Sequence, residues 1–469
     1  MNRPTPRVGI LPLHLALYDQ VVPQLRESRE AFARTLADRL AARGLGVELA
    51  ATCTLRPQVE QQLEALASKK LDLLATLHLA YSPSLESAEP LARCPLPLAL
   101  LDTTEAPRFD EAATRDDMLA NHGIHGVQDL ASVLRRLGRD YRVIAGHAAD
   151  EAFLDEVAAT ARAARAAQAL RQSTTLLVGE PFAGMGDFAV DFDTLRQTLG
   201  PRVRVVENAE LAARVSQVTD AALDAEAAAD AERFDLSDLP ARVLRESNRV
   251  GLALRAILDE AGADAFSMNF QSFDRGAGTP TVPFLEASKA MARGLGYAGE
   301  GDVLTAAFVG ALMAGLGDAT FTEMFCPDWQ GDSIFMSHMG ECNLAMARSR
   351  PRLVEKDYAF GDVANPAVAL FAPRPGPATL ANIALGPGGV FSVVVAGVDV
   401  LDRNLSPNFA DVPHFWVRPA AGGIRSFLRR YSEAGGTHHL ALLPGDHAGG
   451  LRSLAQFLGM DFTNLSSPA

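Results

Sequence analysis

The chain has 469 residues, of which 48% are hydrophobic and 21% are charged, a balance typical of a globular protein with more than one domain. Its 43 basic and 57 acidic residues give a formal net charge of −14, which disfavours a nucleic acid or an anionic membrane surface as the main partner. This balance favours an enzyme whose ligand is neutral or is bound through a cation.

Neither the cysteines nor the N-terminus indicates export or membrane insertion. The four cysteines are far apart and form no C-x-x-C pair, so we expect reduced thiols. The first apolar run is interrupted at Pro12 and His14, which argues against a signal peptide or a membrane span. The sequence therefore predicts a cytoplasmic protein.

The N-terminal part of the chain alternates strand patterns with helix patterns. Strands are predicted at 8–13, 47–51, 71–77, 96–101, 141–145, 174–178 and 203–206, and helices at 25–43, 59–68, 126–137 and 149–171. This alternation implies right-handed crossovers and mostly parallel sheets. Ligands bind beyond the carboxyl ends of such strands, so the loops after Leu13, Leu77 and Leu101 are candidate ligand loops. The glycine patterns of dinucleotide-binding and P-loop proteins do not occur.

The middle of the chain is predicted to be helical. Residues 221–232 are rich in Ala, Asp and Glu, which indicates a solvated helix or a linker. Further helices are predicted at 241–260, 283–294 and 302–315. The last of these is rich in small residues, so we expect it to pack closely on its neighbours.

The C-terminal part changes character to β-rich segments separated by Gly and Pro. Strands are predicted at 367–371, 378–385, 390–398 and 414–418, which indicates an antiparallel barrel or sandwich. Short helices at 424–433 and 448–458 flank the segment 437–439. The predicted fold is therefore α/β, with two Rossmann-like parallel-sheet domains (1–145 and 146–350) and a β-rich, barrel-like C-terminal domain (351–469).

Four short segments carry side chains that can bind a metal ion. They are 296–302 with Glu300 between glycines, 321–325 with Glu323, 337–342 with His338, and 435–439 with His438 and His439. Two carboxylates and two imidazoles form a mixed nitrogen and oxygen site that suits Mn²⁺, Co²⁺, Mg²⁺ or Zn²⁺. Such an ion can polarise a sugar carbonyl, and the carboxylates can move a proton between neighbouring carbons. Each signal alone is weak, because a loop glutamate is usually a surface residue and a lone histidine is usually structural.

Taken together and in order, these segments resemble the L-arabinose isomerase family, and more loosely the wider L-fucose isomerase-like group. The segments 121–126 and 143–147 in the N-terminal part also match, as does the strand pattern at 265–270. The most specific match is the sequence GYAGEGD at 296–302. The resemblance covers most of the chain.

The resemblance implies a metal-dependent isomerase of a pentose, such as L-arabinose to L-ribulose, acting through an ene-diol. It implies a divalent ion, most simply Mn²⁺, with Co²⁺ or Mg²⁺ as alternatives, and a homo-oligomer, typically a hexamer of two trimers. The ligands would be Glu300, Glu323, His338 and His439, and the two glutamates would also be the acid–base pair. The implied sugar contacts are His125 across a subunit interface, Phe270, Tyr81, His438 and His14.

Some residues depart from the family pattern and leave alternatives. The family has a Gln shortly after its first strand, where this chain has Pro12, Leu13 and His14, so His14 either compensates for the missing Gln or is a satisfied surface histidine. Tyr81 replaces a family Phe, and 326–330 is closer to the fucose isomerase-like group, so another sugar such as a deoxyhexose is an alternative. A silent sugar-binding protein of the same fold is a second alternative. His438 is an alternative ligand to His439, and two further carboxylates, Asp302 and Glu341, are predicted to support the ligands.

Overall fold

The computed structural model describes residues 5–466, which divide into two compact units. The N-terminal unit contains residues 5–168 together with Arg452–Gly459, and the second unit contains Ala169–Leu451 together with residues 460–466. Each unit has its own parallel sheet and its own hydrophobic core.

The N-terminal unit is built on a five-stranded parallel sheet in the order β2-β1-β3-β4-β5. Its strands are β1 (Arg7–Leu13), β2 (Gly46–Leu49), β3 (Leu73–His78), β4 (Leu98–Asp102) and β5 (Arg142–Ala145). Its helices are α1 (Ala16–Val21), α2 (Gln24–Ala42), α3 (Arg56–Ala67), α4 (Ala88–Arg93), α5 (Arg115–Asn121), α6 (Ile124–Arg136) and most of α7 (Glu151–Gln172). Helix α6 buries Val127, Leu130 and Leu134, whose helical spacing places them on one face within the core.

The second unit begins with a four-stranded parallel sheet in the order β7-β6-β8-β9. The strands are β6 (Thr174–Val178), β7 (Arg202–Val206), β8 (Ala265–Met268) and β9 (Gly296–Gly299). The helices are α8 (Phe192–Thr198), α9 (Asn208–Gln217), α10 (Asp220–Arg233), α11 (Ala241–Ala261), α12 (Phe284–Arg293) and α13 (Val303–Gly315).

Helix α13 lies directly against β9, as its small residues predict. A side chain at Gly296 would come within 2.1 Å of the carbonyl oxygen of Ala306 and 2.5 Å of the backbone nitrogen of Gly310. Only glycine therefore permits this backbone-to-backbone contact. The contact fixes the end of β9, where the segment with Glu300 begins.

The second unit continues into a six-stranded antiparallel barrel. Its strands are β10 (Thr320–Asp328), β11 (Ser333–Ser337), β14 (Gly376–Leu385), β15 (Phe391–Val400), β16 (His414–Pro419) and β17 (His439–Pro444). They pair in the order β10-β11-β16-β15-β14-β17, and β17 pairs with β10, which closes the ring. Alternating side chains such as Leu380, Val394 and Leu442 are buried together in its core.

Three further strands and two further α-helices follow in the described chain. Strands β12 (Arg352–Glu355) and β13 (Ala367–Leu370) form an antiparallel pair, and β18 (Asp461–Asn464) lies parallel to β15. The last helices are α14 (Gly423–Glu433) and α15 (Ala448–Leu458). The four cysteines are free thiols. No helix within residues 5–466 has both the length and the hydropathy to cross a membrane.

The predicted fold class is confirmed, because two parallel sheets precede a β-rich part that closes into a barrel. The segment at 221–232 is helical, and α10 buries Leu223 and Asp230 on one side. The domain boundaries at residues 145 and 350 stay a prediction. The strands that the sequence did not predict are β9, β10, β11, β12, β17 and β18.

Candidate metal centre

Glu300 lies at the carboxyl end of β9, where ligands of parallel sheets are expected. Its φ angle is +62°, a left-handed conformation that is uncommon for a residue with a side chain. The next residue, Gly301, has a φ of +85°. The side chain of Glu300 is held in the interior, since the residue is only 8% exposed. Strain of this kind persists where surrounding structure imposes it, and it is concentrated at functional sites.

Glu323 and His439 are direct partners on the antiparallel strands β10 and β17. Partners of this kind point to the same face of the sheet. Nε2 of His439 lies 3.0 Å from Oε1 of Glu323 and 3.5 Å from Oε2 of Glu300. The register of β10 shifts just after Glu323, between Met324 and Cys326, and bulges often occur beside sites, where they redirect side chains.

His338 follows β11, the strand on the other side of β10. Its neighbour Ser337 pairs with Glu323, and Nε2 of His338 lies 3.4 Å from Oε1 of Glu323. The ring lies against the backbone of Gly299, where a Cβ would be 2.6 Å from Cε1 and 2.8 Å from Nε2 of His338. Glycine at the end of β9 therefore makes room for this imidazole.

Each of these two histidines is oriented by a second carboxylate, as predicted. Nδ1 of His439 donates to Oδ2 of Asp302 at 2.8 Å, and Nδ1 of His338 donates to Oε2 of Glu341 at 2.7 Å. The hydroxyl of Tyr297 donates to the other oxygen of Glu341. These bonds fix the tautomer and turn both Nε2 atoms toward the carboxylates of Glu300 and Glu323.

Carboxylates and imidazoles face one another in the site and shift each other's pKa values. Burial opposes the charged carboxylate of Glu300, but the facing imidazoles of His438 and His439 outweigh it and lower the pKa of Glu300 well below its usual range. Burial likewise opposes the charge of Glu323, whose pKa is lowered by His338 and His439. Burial disfavours a charged His338, but Glu341 and Glu323 raise its pKa. The two central glutamates are therefore ionised at neutral pH.

The residues fit a divalent cation. Nε2 of His338 and Nε2 of His439 are buried and have no hydrogen-bond partner among the described residues. Buried nitrogens rarely remain unsatisfied, and here both face ionised oxygens. Ligand atoms of Glu300, Glu323, His438 and His439 lie within 4.8 Å of one another, and this set contains His438 in place of the predicted ligand His338. A mixed set of carboxylate oxygens and imidazole nitrogens suits Mn²⁺, Co²⁺ or Mg²⁺.

His438 differs from its neighbour His439 in its environment. Its side chain is 39% exposed, its Nδ1 donates to Oδ2 of Asp187 at 2.6 Å, and its Nε2 is 3.5 Å from Oε2 of Glu300. His439 is fully buried, and the ring of Phe188 stacks on it with centroids 4.8 Å apart.

Asp187 and Phe188 were not predicted from the sequence. A usable signal was present, because Asp187 follows Gly184 and Gly186 much as Glu300 follows Gly299. Phe321 was also missed, and its ring contacts His338 and His439 edge-on at 4.7 and 4.9 Å. The rings of Phe188 and Phe321 therefore help to keep the imidazoles of His338 and His439 in place.

Phe270 lies in the same unit as the four predicted ligands. It follows β8 and is 9% exposed, with its ring 5.6 Å from Phe182 and 5.8 Å from Phe360. It therefore belongs to a small aromatic cluster, and its predicted contact with sugar stays a prediction.

The other predicted sugar contacts lie in the N-terminal unit. His14 is 1% exposed and neither ring nitrogen has a hydrogen-bond partner among the described residues, so the alternative of a satisfied surface histidine is wrong. Burial lowers the pKa of His14. The hydroxyl of Tyr81 donates to Oδ2 of Asp129 at 3.4 Å, and His125 lies edge-on to His122 at 5.7 Å.

Comparisons with known proteins identify the family of the chain. Residues 190–316 match the family model described as the L-arabinose isomerase central domain, and residues 318–461 match the L-arabinose isomerase C-terminal domain. An L-arabinose isomerase from Herpetosiphon aurantiacus is 28% identical over 423 residues, which cover 86% of this chain and 82% of that protein. One from a Nocardioides species is 29% identical over 359 residues, 74% of this chain and 70% of that protein.

Among solved structures, a solute-binding protein from Agrobacterium vitis bound to α-D-tagatopyranose covers 66% of this chain and 88% of its own. Its sequence identity is 15% and its TM-score is 0.15. A likeness at this level supports no inference.

Proposed function

The chain belongs to the L-arabinose isomerase family and is therefore an aldose–ketose isomerase, and from that premise we propose that it converts a pentose such as L-arabinose to its ketose with a bound divalent metal ion. The observation that carries the proposal is the pair of buried, unsatisfied Nε2 atoms of His338 and His439, which face the ionised carboxylates of Glu300 and Glu323.

The proposed ligands are Glu300, Glu323, His338 and His439. A divalent ion held by these residues, Mn²⁺ or else Co²⁺ or Mg²⁺, would supply Lewis-acid polarisation of the sugar carbonyl. The protein contributes an oriented, largely buried set of donors, which is supported by Asp302 and Glu341 behind the histidines.

His338 is preferred to His438 as a ligand. Both ring nitrogens of His438 have partners, whereas Nε2 of His338 has none among the described residues. His438 is also partly exposed, which suits contact with an entering sugar. We therefore assign His438 to the substrate side of the site.

The proton transfer is assigned to Glu300 and Glu323. One carboxylate removes the proton from the hydroxyl-bearing carbon beside the carbonyl and returns it to the carbonyl carbon. The other carboxylate passes the hydroxyl proton of the first carbon to the carbonyl oxygen, so an ene-diol forms and then collapses to the ketose. Both groups are ionised at neutral pH, so either can act as the base. The carboxylate of Glu300 is held by His438 and His439, whose Nε2 atoms each lie 3.5 Å from its Oε2.

We further propose a homo-oligomer, hexameric or trimer-based, in which His125 contributes to a neighbouring subunit's site. His14, Tyr81 and Phe270 are assigned as further sugar contacts. The proposed location is the cytoplasm, where the free cysteines would remain reduced.

The function is tested by measuring ketose formation from a panel of pentoses and hexoses. Protein stripped with EDTA should be inactive, and Mn²⁺, Co²⁺ or Mg²⁺ should restore turnover. Glu323→Gln should abolish turnover while leaving the melting temperature near that of the wild type. Glu232→Gln, an exposed position on α10, is the matched control and should remain fully active.

The outcomes separate the alternatives. Preference for a deoxyhexose over every pentose would replace the pentose assignment. Thermal stabilisation by a sugar without any turnover in Mn²⁺ would indicate a silent binding protein. Full activity of the EDTA-treated protein would overturn the metal dependence.

The ligand assignment has its own measurement. Calorimetric titration with Mn²⁺ should show a loss of affinity in His338→Ala and little change in His438→Ala. The reverse pattern would make His438 the ligand.

A further inference from the structure

The segment 179–191, termed here the β6–α8 loop, joins β6 to α8 without helix or strand. Within this segment, all of which the structure describes, only Phe188 is buried. Side chains built at Gly184 and Gly186 would meet no atom within 4 Å, so the backbone runs there through open space. The loop nevertheless makes specific contacts at its adjacent residues Asp187 and Phe188.

Both contacts reach the histidine pair that precedes and begins β17. Oδ2 of Asp187 accepts from the backbone nitrogen of His438 at 3.0 Å and from its Nδ1 at 2.6 Å. Phe188 stacks on His439 with an interplanar angle of 7°. A single carboxylate oxygen thus holds the main chain and the ring of His438 together.

The contact determines where the ring of His438 points. A partly exposed imidazole ordinarily samples several side-chain rotamers. With Nδ1 donating to Asp187, the other nitrogen, Nε2, is turned to Glu300, 3.5 Å from Oε2. An ion pair between side chains this exposed contributes little to stability. Its main effect is therefore orientation of the ring.

We propose that Asp187 is a positioning residue, which acts through His438 and holds Nε2 of that ring beside Glu300, on the side from which the sugar enters. The inference rests on the proposed function. Asp187 lies before residue 190, where the match to the central-domain family model begins. Phe188 holds the same loop against His439, so the β6–α8 loop is fixed at two adjacent points.

The test is a double-mutant cycle on kcat/KM in the Mn²⁺-loaded enzyme. Asp187→Asn should lower kcat/KM by about 10–100-fold, the range typical of carboxylates that orient a site histidine. His438→Ala should lower it at least as much. The double variant should be no worse than His438→Ala, because Asp187 acts only through that ring. Asp193→Asn, an exposed aspartate on α8, is the matched control and should match the wild type.

A second readout does not depend on turnover. Reaction of His438 with diethyl pyrocarbonate, followed by fragmentation mass spectrometry, should be several-fold faster in Asp187→Ala than in the wild type, because Nδ1 of the ring loses its acceptor. Additive losses in the cycle, or an unchanged modification rate, would overturn the positioning role. Absence of wild-type turnover together with faster modification of Asp187→Ala would overturn the proposed function and leave the link between Asp187 and His438 intact.

Discussion

Replacement of Gly299 by alanine is a direct test of where the ring of His338 must lie. A Cβ at this position would be 2.6 Å from Cε1 and 2.8 Å from Nε2 of His338. Carbon atoms pack at about 3.5–4.0 Å, so the ring must retreat by about 1 Å. The ring has little freedom to do so, since Glu341 holds its Nδ1 and Phe321 contacts its edge. The substitution therefore moves Nε2, the atom assigned to the cation.

A displacement of about 1 Å at a reacting centre can lower activity by roughly 100-fold. We expect Gly299→Ala to weaken Mn²⁺ binding in calorimetry and to lower kcat/KM by about that factor, with the protein still folded by circular dichroism. Gly449→Ala is the control, because a Cβ there meets no atom within 4 Å. Wild-type Mn²⁺ affinity and kcat/KM in a folded Gly299→Ala would refute the assignment of His338 as a ligand.

Three further predictions concern Asp302, Glu226 and His125. Asp302→Asn should weaken Mn²⁺ binding by about 10–100-fold, because Nδ1 of His439 loses the carboxylate that fixes its tautomer, and metal titration measures this. Burial disfavours the charge of Glu226, but Arg255 and Lys289 outweigh it and lower its pKa from 4.5 to about 2. The stabilisation from Glu226, on the order of 3 kcal/mol, is therefore complete above pH 4.5 and lost as the pH falls toward 2. Urea unfolding at several pH values should accordingly show a shallower acid dependence in Glu226→Gln, and an unchanged slope would contradict the reasoning. If each site combines residues of two subunits, co-expression of the inactive variants His125→Ala and Glu300→Gln should give mixed oligomers with partial activity. Mixed oligomers without activity would place both residues of a site in one subunit.

Most helices and most parallel strands could be predicted from periodicity, and the strands that could not be predicted are instructive. Strand β9 consists of GYAG, a composition that disfavours strands, and it forms because its glycines allow α13 to pack against it. Strand β10 places the charged Glu323 in the interior, which breaks the expected alternation. The leucines of β17 suit a helix equally well. In each case tertiary contacts outweigh local preference.

The candidate site could be predicted only in part, because its assembly also depends on tertiary contacts. The glycines beside Glu300 could be seen in the sequence. In the structure they flank a residue whose backbone is left-handed. The convergence of Glu323, His338 and His439 depends on strand register, which sequence patterns do not specify. Asp187 could not be linked to His438 in advance, because the two are 251 residues apart in the chain.

The closed ring of six strands limits which changes of sequence length the metal centre tolerates. In an open sheet one strand can slide past its neighbour, and a slip of one residue turns its side chains to the other face. In a closed barrel the register offsets between neighbouring strands must add up to a fixed total around the ring. One strand can therefore slide only if the register between other strands changes as well. Glu323 and His439 are paired across two strands of this ring. Insertions in the connecting loops should therefore leave their alignment intact, so loop length is free to vary between relatives while the spacing of the metal-binding atoms is preserved.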